Sequence, residues 1–181
     1  MVLIANQHQL HGKDIDSYCD DETYRYVNNY AHYVSHVIGF SPLNRIHCKH
    51  GFGIRVPDLF NAAHQRGWWD TTHRGHHVPC LVYITVESAY DSKTNTLKQG
   101  ASYTSMTSFE HVGIYLSDQT IYNHSGVGDR KVQGWTFDYF RRIYDQRLKR
   151  EPHHGRTIML YSSLPPKNIE PAIFLGTTVV G

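Results

Sequence analysis

The sequence predicts an α+β fold in which N-terminal helices pack on a small antiparallel sheet. Helical patterns come first along the chain, short β-branched and aromatic runs follow, and one amphipathic helix is inserted among those runs. Helices and strands that are segregated along a chain favour an α+β arrangement over a parallel α/β sheet. The 181 residues, 40% of them hydrophobic, suit a single domain over residues 1–181 with a sizeable buried core.

Two helices are expected in the N-terminal part of the chain. Residues 20–38 carry aromatic and aliphatic side chains at three-and-four spacing, and Gly39 follows where helices often end. Residues 57–66 form a shorter helical pattern that begins with Pro57, a residue suited to the first turn of a helix.

The strands follow, with the third helix among them. Five runs rich in β-branched and aromatic residues predict strands, at residues 80–87, 111–117, 120–125, 131–135 and 156–163. Residues 136–148 predict a helix with one apolar face. The polar segment 88–108 predicts a long surface loop, and the proline-rich residues 163–181 a surface tail. The domain core is therefore expected over about residues 20–162.

Charge and hydropathy exclude several classes of partner. The formal net charge of +2 is too balanced to indicate a nucleic-acid partner. No run approaches the roughly 20 apolar residues of a membrane span, and the N-terminus has no signal-peptide pattern. We therefore expect a protein that is made in the cytoplasm and does not insert into a membrane. Three irregularly spaced cysteines, Cys19, Cys48 and Cys80, argue against a disulfide framework.

Residues 110–126, EHVGIYLSDQTIYNHSG, combine two predicted strands with polar residues at unusual positions. The string HVGIYLS followed by IYNHS resembles the NlpC/P60 branch of the papain-like cysteine hydrolases. This resemblance covers about residues 25–161 and implies a papain-like domain. It implies that His111 is the general base and that Asn123 orients its ring. Strand alternation turns His124 to the opposite face, which favours Asn123 over His124 as the orienting residue, and His124 is also a candidate for the substrate cleft.

The nucleophile departs from the family pattern. The best match to the cysteine-containing signature is YAHYV, which places Tyr30 where the cysteine belongs. A phenol with a pKa near ~10 cannot simply replace a thiolate. Cys48 is the alternative, because Lys49 and neighbouring histidines would lower its thiol pKa. We therefore predict Cys48 as the nucleophile and assign Tyr30 and His32 to the cleft, although free cysteines are also common packing residues.

A histidine-rich segment competes for a functional role. It contains His64, His73, His76, His77 and Cys80. Structural zinc sites usually repeat tight pairs such as C-x₂-C or H-x₃-H, which this segment lacks, so a polar loop with titrating histidines is the simpler interpretation. The adjacent Trp68 and Trp69 are expected to form an apolar border of the cleft.

The resemblance implies hydrolysis of an amide bond in peptidoglycan stem peptides through a thioester, without a cofactor. An enzyme of this kind without a signal peptide would reach the wall by another route. We expect a type VI secretion effector, delivered to the periplasm of a target bacterium, with a secretion-apparatus partner and a cognate immunity protein. Two alternatives remain open. One is a degenerate papain-like binding module with Tyr30 at the cysteine position, and the other is a metal-dependent hydrolase that uses residues 64–80.

Overall fold

The chain folds into a mixed arrangement of helices and antiparallel strands. The computed structural model describes residues 11–22, 29–42, 47–69, 79–98, 110–116, 119–124, 131–149 and 156–166. Within these ranges the helices are α1 (Asn29–Ile38), α2 (Val56–Ala62) and α3 (Phe137–Lys149). The strands are β1 (Arg66–Trp68), β2 (Cys80–Val86), β3 (Tyr90–Asp91), β4 (Thr96–Leu97), β5 (His111–Tyr115), β6 (Thr120–His124), β7 (Val132–Thr136) and β8 (Thr157–Ser162). The predicted α+β class is confirmed.

A six-stranded antiparallel sheet forms the centre of the fold. Its strand order is β1-β8-β2-β5-β6-β7, and β3 and β4 pair in a separate small sheet. Strand β2 pairs with β5 on one side and with β8 on the other, and all seven of its residues are buried. The consecutive strands β5, β6 and β7 form a meander. A residue of β5 and a residue of β6 that are separated in the sequence can therefore lie side by side.

Both faces of the sheet are covered by helices. Leu81 and Tyr83 of β2 belong to an apolar cluster with α1 and α2. The alternate residues Val82 and Ile84 belong to a second cluster, with Phe140 of α3. Because successive strand residues point to opposite faces, the fold has a helix layer on each side of the sheet. Within the described ranges, no helix combines the length and the apolar character that crossing a membrane requires.

Several element boundaries differ from the predictions. Helix α1 is described from Asn29 onward, and residues 23–28 of the predicted helix lie outside the described residues. Helix α2 ends at Ala62, before the predicted end at residue 66, and β1 begins at Arg66, paired with β8. The tripeptide RGW is too short to show an alternating strand pattern. Its pairing with β8 is a tertiary contact that local sequence does not encode.

The predicted loop and tail are more ordered than expected at two places. Strands β3 and β4 lie within the predicted loop, and the Asn61 side chain holds β4 by donating to the Leu97 carbonyl and accepting from its N–H. In the predicted tail, the Ser163 N–H donates to the Gln65 carbonyl and Leu164 packs against the core. Residues 99–109 and 167–181 lie outside the described residues.

Strands β5 and β6 approach closely at Gly113. A Cβ atom on Gly113 would overlap the Cγ2 atom of Ile121 and would lie 3.1 Å from the Tyr122 carbonyl oxygen and 3.3 Å from the Asn123 Cβ. The missing side chain therefore allows β6 to carry Asn123 close to the strand that begins at His111.

The substitution Gly113→Ala is expected to destabilise the fold by roughly 1–3 kcal/mol, because backbone and packed side chains would have to move. Urea unfolding measures this change. The matched control is Gly67→Ala on the edge strand, where a Cβ meets Tyr161 at an ordinary 3.6 Å. Equal stability changes for the two variants would show that the close approach of β5 and β6 does not constrain the sheet.

Candidate functional site

His111 and Asn123 form a buried hydrogen-bonded pair. The Nε2 atom of His111, at the start of β5, lies 3.0 Å from Oδ1 of Asn123 on β6. The amide nitrogen of Asn123 donates to the Gln133 carbonyl at 3.4 Å, which fixes the orientation of the amide. The His111 Nε2–H is therefore assigned as the donor to Oδ1. The structure brings the two residues together as the sequence predicted.

Two tyrosines enclose the His111 ring. Tyr144 of α3 stacks on it with ring centroids 4.1 Å apart and places its hydroxyl oxygen 2.8 Å from Nε2. The ring of Tyr30, from α1, lies 4.4 Å away. As a result only 3% of His111 is exposed. We call Tyr30, His111, Asn123 and Tyr144 the His111 site.

Tyr144 was not predicted as part of this site. Its position on the apolar face of a predicted helix identifies a packing residue, and nothing in its local sequence indicates a histidine partner on another element. Tyr30, in contrast, is the second residue of α1 as described and is half-buried. Tyr30, which the resemblance aligns with the family nucleophile, is thus one of the residues whose rings contact His111.

Cys48 lies in a different environment from the one predicted. Its sulfur is fully buried and lies 3.6 Å from Nε2 of His36, near the other end of α1. Tyr30 and His36 are six residues apart, or about 9 Å along the helix axis. The predicted pairing of the Cys48 sulfur with the His111 ring is therefore replaced by a pairing with His36.

Cys48 belongs to a cluster of metal-ligating side chains. The ligand atoms of Cys19, His32, His36 and Cys48 all lie within 4.8 Å of one another, and we call these four residues the Cys₂His₂ cluster. The Nε2 atoms of His32 and His36 are 3.1 Å apart. Burial lowers the pKa of His32 to about 4 and that of His36 to about 3, so both imidazoles are neutral at pH 7. The group has the donor set of a zinc site.

The cluster corrects the assignment of His32 to a substrate cleft, because this side chain is fully buried beside His36. Cys19 and His36 were not predicted as site residues. A signal for the histidines was present, since His32-x₃-His36 on a predicted helix puts both rings on one face. The cysteines come from separate segments, so their approach could not be read from spacing.

The histidine-rich segment does not supply this cluster. His64 is exposed, and residues 70–78 lie outside the described residues. Cys80 packs in the core between the sheet and α3, where burial raises its thiol pKa to about 12. Cys80 is therefore poorly suited to bind a metal, which weakens the predicted alternative of a metal-dependent hydrolase that uses residues 64–80.

The tryptophans lie away from His111. Trp68 is 43% exposed and contacts Tyr90, and Trp69 contacts Tyr115. Tyr115 and His111 are at opposite ends of β5, about 13 Å apart for an extended strand of this length. The contacts thus do not support a role for the two tryptophans as a border of the His111 site.

His124 occupies the face that strand alternation predicted. It is 1% exposed, and its ring lies beside the ring of Tyr18, with centroids 6.4 Å apart. Tyr18 also contacts the rings of His32 and His36. His124 is therefore close to the Cys₂His₂ cluster and is not part of an open cleft.

No protein-family model, curated protein or solved structure matches this chain. Its function is therefore inferred from the contacts of the His111 site and of the Cys₂His₂ cluster.

Glu110, next to His111, titrates unusually high for a carboxyl group. Burial raises its pKa to about 7, and Asp58 adds to this effect while Arg55 opposes it. Between about pH 4.5 and pH 7 the folded chain therefore keeps a proton that the unfolded chain loses. Stability from this group is present below that window and falls as the pH rises through it.

The substitution Glu110→Gln is expected to remove this contribution, so the decline in melting temperature between about pH 4.5 and pH 7 becomes shallower than in the unmodified chain. Thermal unfolding at several pH values measures it. Glu87→Gln, at an exposed position, is the control. A pH dependence for Glu110→Gln identical to that of Glu87→Gln would contradict the assignment.

Proposed function

We propose that this chain is a papain-like binding module related to NlpC/P60 domains, in which the cysteine-hydrolase centre has degenerated. The proposed ligand is the stem peptide of peptidoglycan, which the module holds without cleaving. The single observation that carries the proposal is the Tyr30 ring against His111, at the position where the family pattern has its cysteine.

Cysteine hydrolysis requires a thiol within hydrogen-bond reach of a base. In the described residues the ring that faces the imidazole of His111 from α1 is a phenol, and the Cys48 sulfur lies with His36. The imidazole is also nearly inaccessible, because Tyr30 and Tyr144 enclose it. These contacts favour the non-catalytic alternative over a Cys48 hydrolase.

The family resemblance and the exposed part of Tyr30 support a retained binding role. The HVGIY string and the His111–Asn123 hydrogen bond are the features that the family uses around its peptide substrate. Tyr30 remains half-buried, so part of its ring can meet a ligand. A tyrosine offers a peptide both an apolar face and a hydroxyl group. Delivery to the periplasm by a secretion apparatus, with an immunity partner, would bring such a module to this ligand.

Purified sacculi test this function directly. The unmodified chain is expected to co-sediment with sacculi and to release no soluble peptides, as measured by chromatography of the supernatant. Tyr30→Ala should lose most of the binding, because it removes the exposed ring. Tyr139→Ala removes a tyrosine that is 39% exposed on α3 and should bind normally.

Three outcomes would contradict the proposal. Chelator-resistant cleavage that is lost in Cys48→Ala would restore the cysteine-hydrolase prediction, and cleavage that a chelator stops would favour a metal-dependent hydrolase. Absence of binding would exclude peptidoglycan as the ligand.

A second test rebuilds the missing nucleophile. In Tyr30→Cys, the new thiol would replace the ring that lies 4.4 Å from the His111 imidazole, so its pKa should fall below the usual ~8.5. Iodoacetamide should therefore still alkylate position 30 at a pH at which an ordinary thiol reacts only slowly. Peptide mass spectrometry measures the rate of this alkylation. Adding His111→Ala should return the profile to that of an ordinary thiol. Identical profiles with and without His111 would show that position 30 does not correspond to the family nucleophile.

A further inference from the structure

The four side chains of the Cys₂His₂ cluster come from three separate parts of the chain. Cys19 follows the short 3-10 helix Ile15–Ser17, both histidines lie on α1, and Cys48 lies in the turn before Gly51. These segments are separated in the sequence, and the tertiary fold brings them together. They converge on one point, where all four ligand atoms lie within 4.8 Å of one another.

We propose that the Cys₂His₂ cluster binds one zinc ion in a tetrahedral structural site that fastens the Cys19 segment and the Cys48 turn to α1. This inference does not depend on the proposed function of the His111 site.

The distances match tetrahedral zinc coordination. Bonds of about 2.3 Å to sulfur and about 2.0 Å to nitrogen place a nitrogen and a sulfur ligand about 3.6 Å apart and two nitrogen ligands about 3.3 Å apart. The observed separations are 3.6 Å between Cys48 Sγ and His36 Nε2, and 3.1 Å between the two Nε2 atoms. No two ligand atoms in the cluster are more than 4.8 Å apart. This upper bound is about 1 Å above the ideal sulfur–sulfur distance of about 3.8 Å, and side-chain rotation can close a gap of that size.

The donor chemistry selects zinc. Two thiols and two imidazoles are the ligand set of Cys₂His₂ sites, whereas magnesium and calcium take oxygen ligands. Zinc binding releases the two thiol protons to solvent, and the two resulting thiolates balance the 2+ charge of the ion. Cys19, His32 and Cys48 are each at most 5% exposed. With four protein ligands and so little solvent access, the site has the closed character of a structural centre and not that of a catalytic one.

The surrounding contacts hold the two cysteine segments in place. The Lys49 N–H donates to the Asp21 carboxylate, and the Lys49 ammonium pairs with Asp20 at 3.0 Å. Within the turn, the Gly51 N–H donates to the Cys48 carbonyl at 2.8 Å, and the positive φ of Gly51 suits a glycine. These bonds keep the cysteines on one side of the helix that carries the histidines, so that little reorganisation is required on metal binding.

A zinc site also explains the inert environment of Cys48. A thiolate that is bound to a closed zinc centre is not available for attack on a carbonyl group. The position of His32 and His36 on α1 therefore explains why Cys48 joins this cluster and does not pair with His111.

The experiment measures metal in the intact chain. The full chain, purified without chelator, is expected to contain one zinc ion per molecule by mass spectrometry of the metal. Cys48→Ser and His36→Gln should each lower this content to near zero. Cys80→Ser and His50→Gln are the matched controls, since each changes the same residue type outside the cluster, and both should retain one zinc ion.

A second measurement remains informative if the cluster variants fail to fold. After zinc is removed from the unmodified chain, Co²⁺ should give the intense visible bands of tetrahedral cobalt and a thiolate-to-metal charge-transfer band, and added Zn²⁺ should displace both. Zinc-free protein from zinc-supplemented growth, together with the weak bands of octahedral cobalt, would overturn the proposal. A chain two hydrogen atoms lighter than expected, from a Cys19–Cys48 disulfide, would also overturn it.

Discussion

The packing of α1 on the central sheet is the constraint on which both sites depend. Tyr33, Val34 and Val37 bury one face of this helix against the sheet, so the directions of its other side chains are set. The start of the helix then presents Tyr30 to His111, and its flank presents His32 and His36 to the two cysteines. Because an α-helix is rigid over this length, the two sites cannot exchange partners without unpacking the core.

Because of this packing, the Cys48 sulfur and the His111 imidazole belong to different sites. His111 has a hydrogen bond to Asn123, but the neighbours that α1 and α3 place against its ring are the aromatic side chains Tyr30, Phe140 and Tyr144. Cys48 has an imidazole neighbour, but that neighbour is His36, in a cluster whose other three residues are buried. Under the two proposals, the His111 site has a phenol in place of a thiol, and the Cys₂His₂ cluster is a structural metal centre.

The parts of this arrangement that local patterns encode were predictable from the sequence. The resemblance placed Asn123 beside His111, and strand alternation placed His124 on the opposite face, as the structure has them. Contacts between distant elements were not predictable. The stacking of Tyr144 on His111, the pairing of β1 with β8 and the approach of Cys19 to Cys48 all arise from tertiary packing. The sequence shows that His32 and His36 share one face of a helix. A metal site could not be predicted from this spacing, because the sequence does not show which cysteines lie against that face.

A crystal structure of the full chain, with diffraction data collected on both sides of the zinc absorption edge, tests the central claim most directly. The account predicts an anomalous peak bonded to the Cys48 sulfur, with the ring of Tyr30 lying against His111 in the same electron-density map. A Cys48 sulfur within hydrogen-bond distance of the His111 ring, with no anomalous peak between His32 and His36, would contradict it.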